Sequence, residues 1–298
     1  MKRLFGVITA MTTPFTAAGS LDPEAMEKHT DFLISKKVNC LYPCGTTGEM
    51  YLMTSEEREL AAETVVKKAA GRAVVFIHTG AMREDETLRL SLHAVKIGAD
   101  GIGIVTPSYF NINERAMIRY YTEIANALPS DFPIYVYNIP QFSGNDISAS
   151  LLDEITAKCP NIIGIKYSYP DMFRLQQYLN LQDRRLSVVF GPDNLFLPSL
   201  VMGCDGIVSG SSSALPEVFV DVYEKYIAGD IKGAQAANDI AVEAVRFLQA
   251  GHNLANMKAV LNARGIFAGF MRKPLLDCTD EDRDRVVRNL QPFFRENK

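Results

Sequence analysis

Eight short apolar runs, each followed by a longer amphipathic stretch, most tightly limit how this chain can fold. The runs are Phe5–Ala10, Cys40–Pro43, Val74–His78, Gly101–Val105, Ile134–Asn138, Ile162–Tyr167, Val188–Gly191 and Gly206–Ser209. Several show no polar–apolar alternation, the pattern of a strand covered on both faces. Helical stretches begin near Pro23, Ser55, Glu84, Asn113, Ser148, Asp171, Asn194 and Leu215. Asp22-Pro23-Glu24 puts a cap residue before a first-turn proline, and Thr54-Ser55-Glu56-Glu57 resembles a capping box. Strand–helix units repeated in this way predict a closed α/β barrel of the (β/α)8, or TIM-barrel, type. An open doubly wound sheet is the alternative, since periodicity counts strands without showing closure. The dinucleotide fingerprint expected after its first strand is missing.

Beyond Ile227 the alternation stops. Asp230–Ala250, Asn253–Arg264 and Asp280–Asn297 read as helices, separated by Gly251-His252, Gly265 and Lys273-Pro274. The expected layout is a barrel over residues 1–227 and a C-terminal helical extension over 228–298 packed on it.

A net charge of −4 provides no electrostatic footprint for nucleic acid, and no basic block suits a membrane surface. The apolar opening Leu4–Met11 runs into Thr12-Thr13-Pro14-Phe15 without a small-residue cleavage site, so it reads as a first strand and not a secretory signal. Cys40, Cys44, Cys159, Cys204 and Cys278 are odd in number and scattered, and the four histidines form no metal-ligand spacing. Reduced thiols, a cytoplasmic location and no metal or other cofactor are the expectations.

One residue breaks its run in a telling way. Asn161-Ile162-Ile163-Gly164-Ile165 is apolar after its first residue, yet Lys166 follows where the strand would leave the sheet. Such a lysine either snorkels to water or serves as a desolvated amine. Desolvation lowers an amine's pKa and makes it a nucleophile able to form a Schiff base with a carbonyl compound.

A parallel barrel builds its active site from the loops after its strands. Those loops carry Gly45-Thr46-Thr47-Gly48-Glu49, Thr106-Pro107-Ser108-Tyr109, Tyr137-Asn138-Ile139-Pro140, Lys166 with Ser168, Gly191-Pro192-Asp193-Asn194, and Val208-Ser209-Gly210-Ser211. Each also has a plain structural explanation. Gly45–Gly48 has turn composition, Tyr137 suits a half-buried core, and Asp193 could cap the next helix. The serines from Ser209 to Ser213 could hold a phosphate or none. Their convergence at one barrel mouth, an amine with a phenol, hydroxyls and a carboxylate, suits Schiff-base chemistry on a small keto acid.

The same segments resemble the dihydrodipicolinate synthase / N-acetylneuraminate lyase superfamily of pyruvate-handling class I aldolases along nearly the whole chain. The matches are Thr12-Thr13-Pro14-Phe15, Gly45–Glu49, Thr106-Pro107, Tyr137-Asn138-Ile139-Pro140 and Gly164-Ile165-Lys166, in order. The resemblance implies that Lys166 is the Schiff-base lysine and Tyr137 the proton-relaying tyrosine. It implies that one of Thr46 and Thr47 joins the relay while the other holds the pyruvate carboxylate. Tyr109 matches a tyrosine that crosses a subunit interface, Val208 a residue lining the pyruvate pocket, and the assembly a homotetramer built as a dimer of dimers. Ser168 and Gly191 lie among the candidate substrate contacts. A phenol with an ordinary pKa near 10 is a poor base at neutral pH, so Tyr137 needs hydrogen-bonding company, for which Thr47 and Tyr109 are the candidates.

Two departures bear on the substrate. The synthases place an arginine two residues beyond the proline to pair with their aldehyde's carboxylate; here Phe142 occupies that place, and a phenyl ring cannot form such a pair. Tyr167 and Tyr169 flank Ser168 where small or acidic residues are usual. Asp193 and Asn194 resemble the pair that contacts substrate hydroxyls in the neuraminate lyases. The expected activity is a carbon–carbon lyase acting on a 2-keto-3-deoxy sugar acid or a related 2-oxo acid, giving pyruvate and an aldehyde. Alternatives are a dihydrodipicolinate synthase, an N-acetylneuraminate lyase, a keto-acid dehydratase, or a barrel that binds a keto acid without turnover.

Overall fold

Parallel strands buried on both faces need apolar neighbours inside and out, and this chain supplies them by alternating its side chains. The computed structural model describes residues 1–249 and 253–294. Its strands are β1 Gly6–Ala10, β2 Cys40–Tyr42, β3 Val74–His78, β4 Gly101–Val105, β5 Ile134–Asn138, β6 Ile162–Tyr167, β7 Ser187–Phe190 and β8 Gly206–Ser209. They pair in sequence order, and β1 closes on β8 with Gly6 opposite Gly206 and Thr9 opposite Ser209. The open-sheet alternative is thereby excluded. Leu4, Ile8, Ala10, Cys40, Tyr42, Phe76, Tyr135, Val189 and Val208 fill the barrel. The intervening Val7, Leu41, Val75, Ile77, Ile104, Val136, Ile165 and Val188 face the surrounding helices.

Those helices are α1 Pro23–Ser35, α2 Ser55–Ala69, α3 Glu84–Lys96, α4 Glu114–Asn126, the single turn α5 Pro140–Ser143, α6 Ala149–Lys158, α7 Met172–Leu179, α8 Phe196–Met202 and α9 Pro216–Ile227. Asp22 accepts from the Ala25 amide to start α1, and Thr54 and Glu57 form the capping box that starts α2. The helix expected from Asn194 starts at Phe196 because Asp193–Leu195 forms a 3-10 turn first. After α9 come α10 Ile231–Leu248, α11 Leu254–Ala263 and α12 Asp280–Leu290, with a 3-10 turn over Gln291–Phe293. α10 packs against α9 and α12 against α11. Ala250, Gly251, His252 and residues 295–297, included in the expected helices and their separator, lie outside the described residues. No helix among the described residues is long and apolar enough to cross a membrane.

Large rings in the barrel are accommodated by glycines on nearby strands. A Cβ on Gly101 would lie 2.3 Å from the Phe76 ring, and one on Gly103 would lie 1.9 Å from the Tyr42 hydroxyl. Gly164, two residues before Lys166, is held from two sides: its Cβ would meet the Tyr135 ring at 2.4 Å and the Ser187 carbonyl oxygen at 2.5 Å. Gly164→Ala is expected to destabilise the barrel by about 1–3 kcal/mol, measured by denaturant unfolding. An unchanged midpoint would show that β6 and β7 can separate freely at this point.

Candidate active site

Tyr137 and Lys166 are register partners on adjacent parallel strands, so their side chains emerge side by side into the barrel. The Lys166 ammonium nitrogen lies 3.8 Å from the centre of the Tyr137 ring and 4.5 Å from that of Tyr42. Lys166 is only 4% exposed. Burial pulls its pKa down to about 7, and the carboxylate of Asp193 partly opposes that shift. At neutral pH a substantial share of this lysine is therefore a free amine, the form that attacks a carbonyl.

The phenol is shaped by the same burial with the opposite sign. Loss of solvent raises the Tyr137 pKa, while hydrogen bonds from Thr46 and Ser168 pull it back. Its hydroxyl lies 3.4 Å from the Thr46 Oγ1. Its hydroxyl neighbours within the chain are thus Thr46 and Ser168, whereas the sequence offered Thr47 and Tyr109 as candidates. Thr47 turns instead toward β8, its Oγ1 3.0 Å from where a Cβ on Gly210 would stand. Tyr109 is 83% exposed, has a left-handed backbone (φ 76°) and lays its ring edge-on against Phe110.

The remaining candidates surround this centre. Asp193 Oδ2 accepts hydrogen bonds from the backbone amide and hydroxyl of Ser211, with Ser209 also near the carboxylate, while its buried Oδ1 meets no hydrogen-bond donor in good geometry among the described residues. Burial raises the Asp193 pKa against the pull of those bonds and of Lys166. Asn194 beside it is exposed. Gly191 makes room for Ser168, whose hydroxyl would be 2.1 Å from a Cβ there. Val208 lies in the interior cluster with Tyr42. Strand alternation sends Tyr167 outward, where it packs on Tyr178 and Phe190. Tyr169 lines a separate cleft of about 400 Å³ with Gln141, Asp146 and Arg174, and Phe142 stands 61% exposed on the single turn α5.

The sequence reasoning missed two residues at the amine's side, Tyr42 and His78. Both are inward positions on strands ending at the barrel mouth, a signal that alternation within β2 and β3 carries. His78 meets the Tyr137 ring edge-on at 5.8 Å. Its Nδ1 lies 3.1 Å from the Cys44 carbonyl oxygen and 3.3 Å from an Arg58 nitrogen. Burial, with the Arg58 and Lys166 charges, drives the His78 pKa well below its ordinary value, so the ring is neutral at neutral pH.

The model of the dihydrodipicolinate synthetase family matches residues 3–292. The chain belongs to that family. An uncharacterized DapA-like lyase of Halobacterium salinarum is 35% identical over 96% of this chain and 93% of its own. A 4-hydroxy-tetrahydrodipicolinate synthase of Thermus thermophilus is 34% identical over 97% and 96%. Among solved structures, a catalytic-lysine mutant of the sialic acid aldolase of Ruminococcus gnavus superposes with a TM-score of 0.92 at 29% identity, covering 98% of this chain and 97% of that one. YagE, an Escherichia coli prophage protein of the dihydrodipicolinic acid synthase family in complex with pyruvate, gives 0.92 at 26%, covering 98% and 99%. Family membership makes the chain a carbon–carbon lyase of the pyruvate-dependent, Schiff-base type.

A buried lysine carries a stability cost that its removal should reveal. The unfolded chain keeps the lysine protonated up to about pH 10.4, whereas the folded chain releases the proton near 7. The penalty is therefore full below pH 7 and disappears as pH rises toward the unfolded value. Lys166→Met should be inactive yet more stable than the parent. Its advantage should shrink by about 1.4 kcal/mol per pH unit between pH 7 and 9 in denaturant titrations. A constant advantage across that range would show that the folded lysine stays protonated.

Proposed function

We propose that the protein cleaves a 2-keto-3-deoxy sugar acid, or a closely related 2-oxo acid, to pyruvate and a hydroxylated aldehyde, and joins them in reverse. The observation that carries this is the Lys166 amine, buried and held between two phenol rings with its pKa near 7. In the forward direction the amine adds to the C2 carbonyl, and the carbonyl oxygen takes up a proton from solvent and leaves as water, giving an iminium ion. The positive charge now beside the Tyr137 ring favours its phenolate, offsetting the effect of burial. Tyr137, with Thr46 as the adjoining hydroxyl, takes the proton from the C4 hydroxyl. The C3–C4 bond then breaks, its electron pair forms the C2–C3 double bond of an enamine, and the iminium nitrogen is neutralised. Proton return to C3 and addition of water release pyruvate and the free amine. Thr47 is assigned to the pyruvate carboxylate, and Ser168, Gly191 and Val208 line the same pocket.

Two features favour a hydroxylated aldehyde over the carboxylated one used by the synthases. Phe142 stands in place of the arginine that would pair with a carboxylate. Asp193 offers a buried oxygen, Oδ1, with no hydrogen-bond partner among the described residues, an acceptor suited to a substrate hydroxyl. Tyr109, Phe110 and Met82 are apolar and exposed, and we assign them to contact with a second copy, Tyr109 reaching that copy's site within a homotetramer. Barrel and helical extension divide near residue 227 in this reading, and the setting is cytoplasmic.

Pyruvate release should be fastest with 2-keto-3-deoxy sugar acids, measured against N-acetylneuraminate and against condensation of pyruvate with aspartate semialdehyde. Faster condensation with the semialdehyde would overturn the substrate assignment. Tyr137→Phe should lower kcat by ~10²–10⁴-fold, and a near-normal rate would remove the phenol from proton transfer. Asp193→Asn removes a charge that favours the ammonium form, so the acid limb of kcat/KM, expected near pH 7, should move to lower pH. A limb that stays in place or moves upward would contradict that electrostatic link.

A further inference from the structure

Glu49 follows the two threonines in the turn after β2, yet its carboxylate points away from the pocket. It is fully buried, with Oε1 2.6 Å from the Nζ of Lys258, itself 2% exposed on α11. Its Oε2 accepts from the Arg272 amide at 2.9 Å, and Lys258 also donates to the Phe270 carbonyl at 2.6 Å. The Arg272 guanidinium holds Glu57 of α2 and the Leu52 carbonyl. The Phe15 ring lies between the two cations, 4.6 Å from Lys258 and 4.1 Å from Arg272. Residues from the turn after β2 and from beyond the barrel's last helix therefore meet at one carboxylate.

Such a pair is a weak source of stability, because desolvating two charges offsets much of their attraction. What it fixes here is position. Glu49 has a left-handed backbone (φ 61°), which a non-glycine side chain adopts only when its surroundings hold it there. Its amide donates to the Thr46 carbonyl at 3.1 Å, and the Gly48 and Met50 amides close onto Gly45 at 3.0 and 3.3 Å. Any rotation of Glu49 therefore moves Thr46, whose hydroxyl stands 3.4 Å from that of Tyr137. The residue before Lys258, Met257, borders the other threonine's surroundings: its Cε would be 3.4 Å from a Cβ on Gly210.

We propose that Glu49 and Lys258 are positioning residues. Their buried ion pair ties the helices beyond the barrel to the Thr46–Thr47 turn and sets the Thr46 hydroxyl against Tyr137. Proton transfer depends on the pair, and Schiff-base formation by Lys166 does not. This inference rests on the function proposed above and adds to it a role for the C-terminal helices.

The test separates the two steps using pyruvate alone. Borohydride reduces the Lys166 iminium to a stable adduct counted by mass. Exchange of the pyruvate C3 hydrogens in deuterated water requires the further step, in which a C3–H bond breaks, its electrons form the enamine, and a solvent deuteron returns. Lys258→Met alone leaves a buried unpaired carboxylate and risks misfolding. The double variant Glu49→Leu with Lys258→Met replaces both charges by apolar groups of similar size and is expected to fold. It should trap adduct to the extent of the wild type while C3 exchange slows by ~10²-fold, the scale of a misplacement of about 1 Å. Wild-type exchange in the double variant, or a parallel loss of adduct and exchange, would overturn the positioning role alone. Absence of adduct in the wild-type protein would remove the Schiff-base reading, and this inference with it.

Discussion

An amine shut away from water, between two phenol rings, is the constraint to which the rest of the structure answers. A buried lysine must either pair its charge, as Lys258 does with Glu49, or lose it part of the time, as Lys166 does. The barrel provides that place by ending β6 at its mouth, with Tyr137 on the adjacent strand and Tyr42 across the interior. Nearby polar groups are arranged so as not to undo the effect. Asp193, the carboxylate that acts on the amine, has one oxygen occupied by Ser211, and His78 is kept neutral by its own burial. The chemistry of the family thus follows from where one strand stops.

A second requirement is that the phenol have a hydroxyl neighbour fixed to within a fraction of an ångström. That neighbour, Thr46, stands on a glycine-flanked turn closed over a few residues by backbone hydrogen bonds and by the Thr13 hydroxyl, which donates to the Gly48 carbonyl. The left-handed backbone of Glu49 and its buried carboxylate anchor the turn from outside the pocket. Rigid strands set the amine and the phenol; a loop supported by distant helices sets the hydroxyl beside the phenol. The two halves of the site therefore depend on different parts of the fold.

The barrel was legible in the sequence because its strands are short, apolar and doubly buried, and because residues such as Asp22 and Thr54 mark helix starts by their own hydrogen bonds. The single turn α5 was not, since four residues give too little periodicity to register. Lys166 and Tyr137 could be singled out because each interrupts or ends an apolar run. That Thr46 stands beside the phenol, where the sequence had offered Thr47, rests on the rotation of a turn, which composition does not encode. Tyr42 looks like an ordinary strand residue until the barrel closes and carries it to the amine. Glu49 and Lys258 are far apart in the chain, and nothing local to either announces the other.

The desolvated amine is most directly tested by trapping it. Incubated with pyruvate and borohydride over a range of pH, the protein should gain one reduced pyruvate adduct per chain, located at Lys166 by peptide mass. The initial rate of trapping should rise through a midpoint near pH 7, where the buried ammonium loses its proton. No adduct at Lys166, or a midpoint near the ordinary lysine value of about 10.4, would contradict the account.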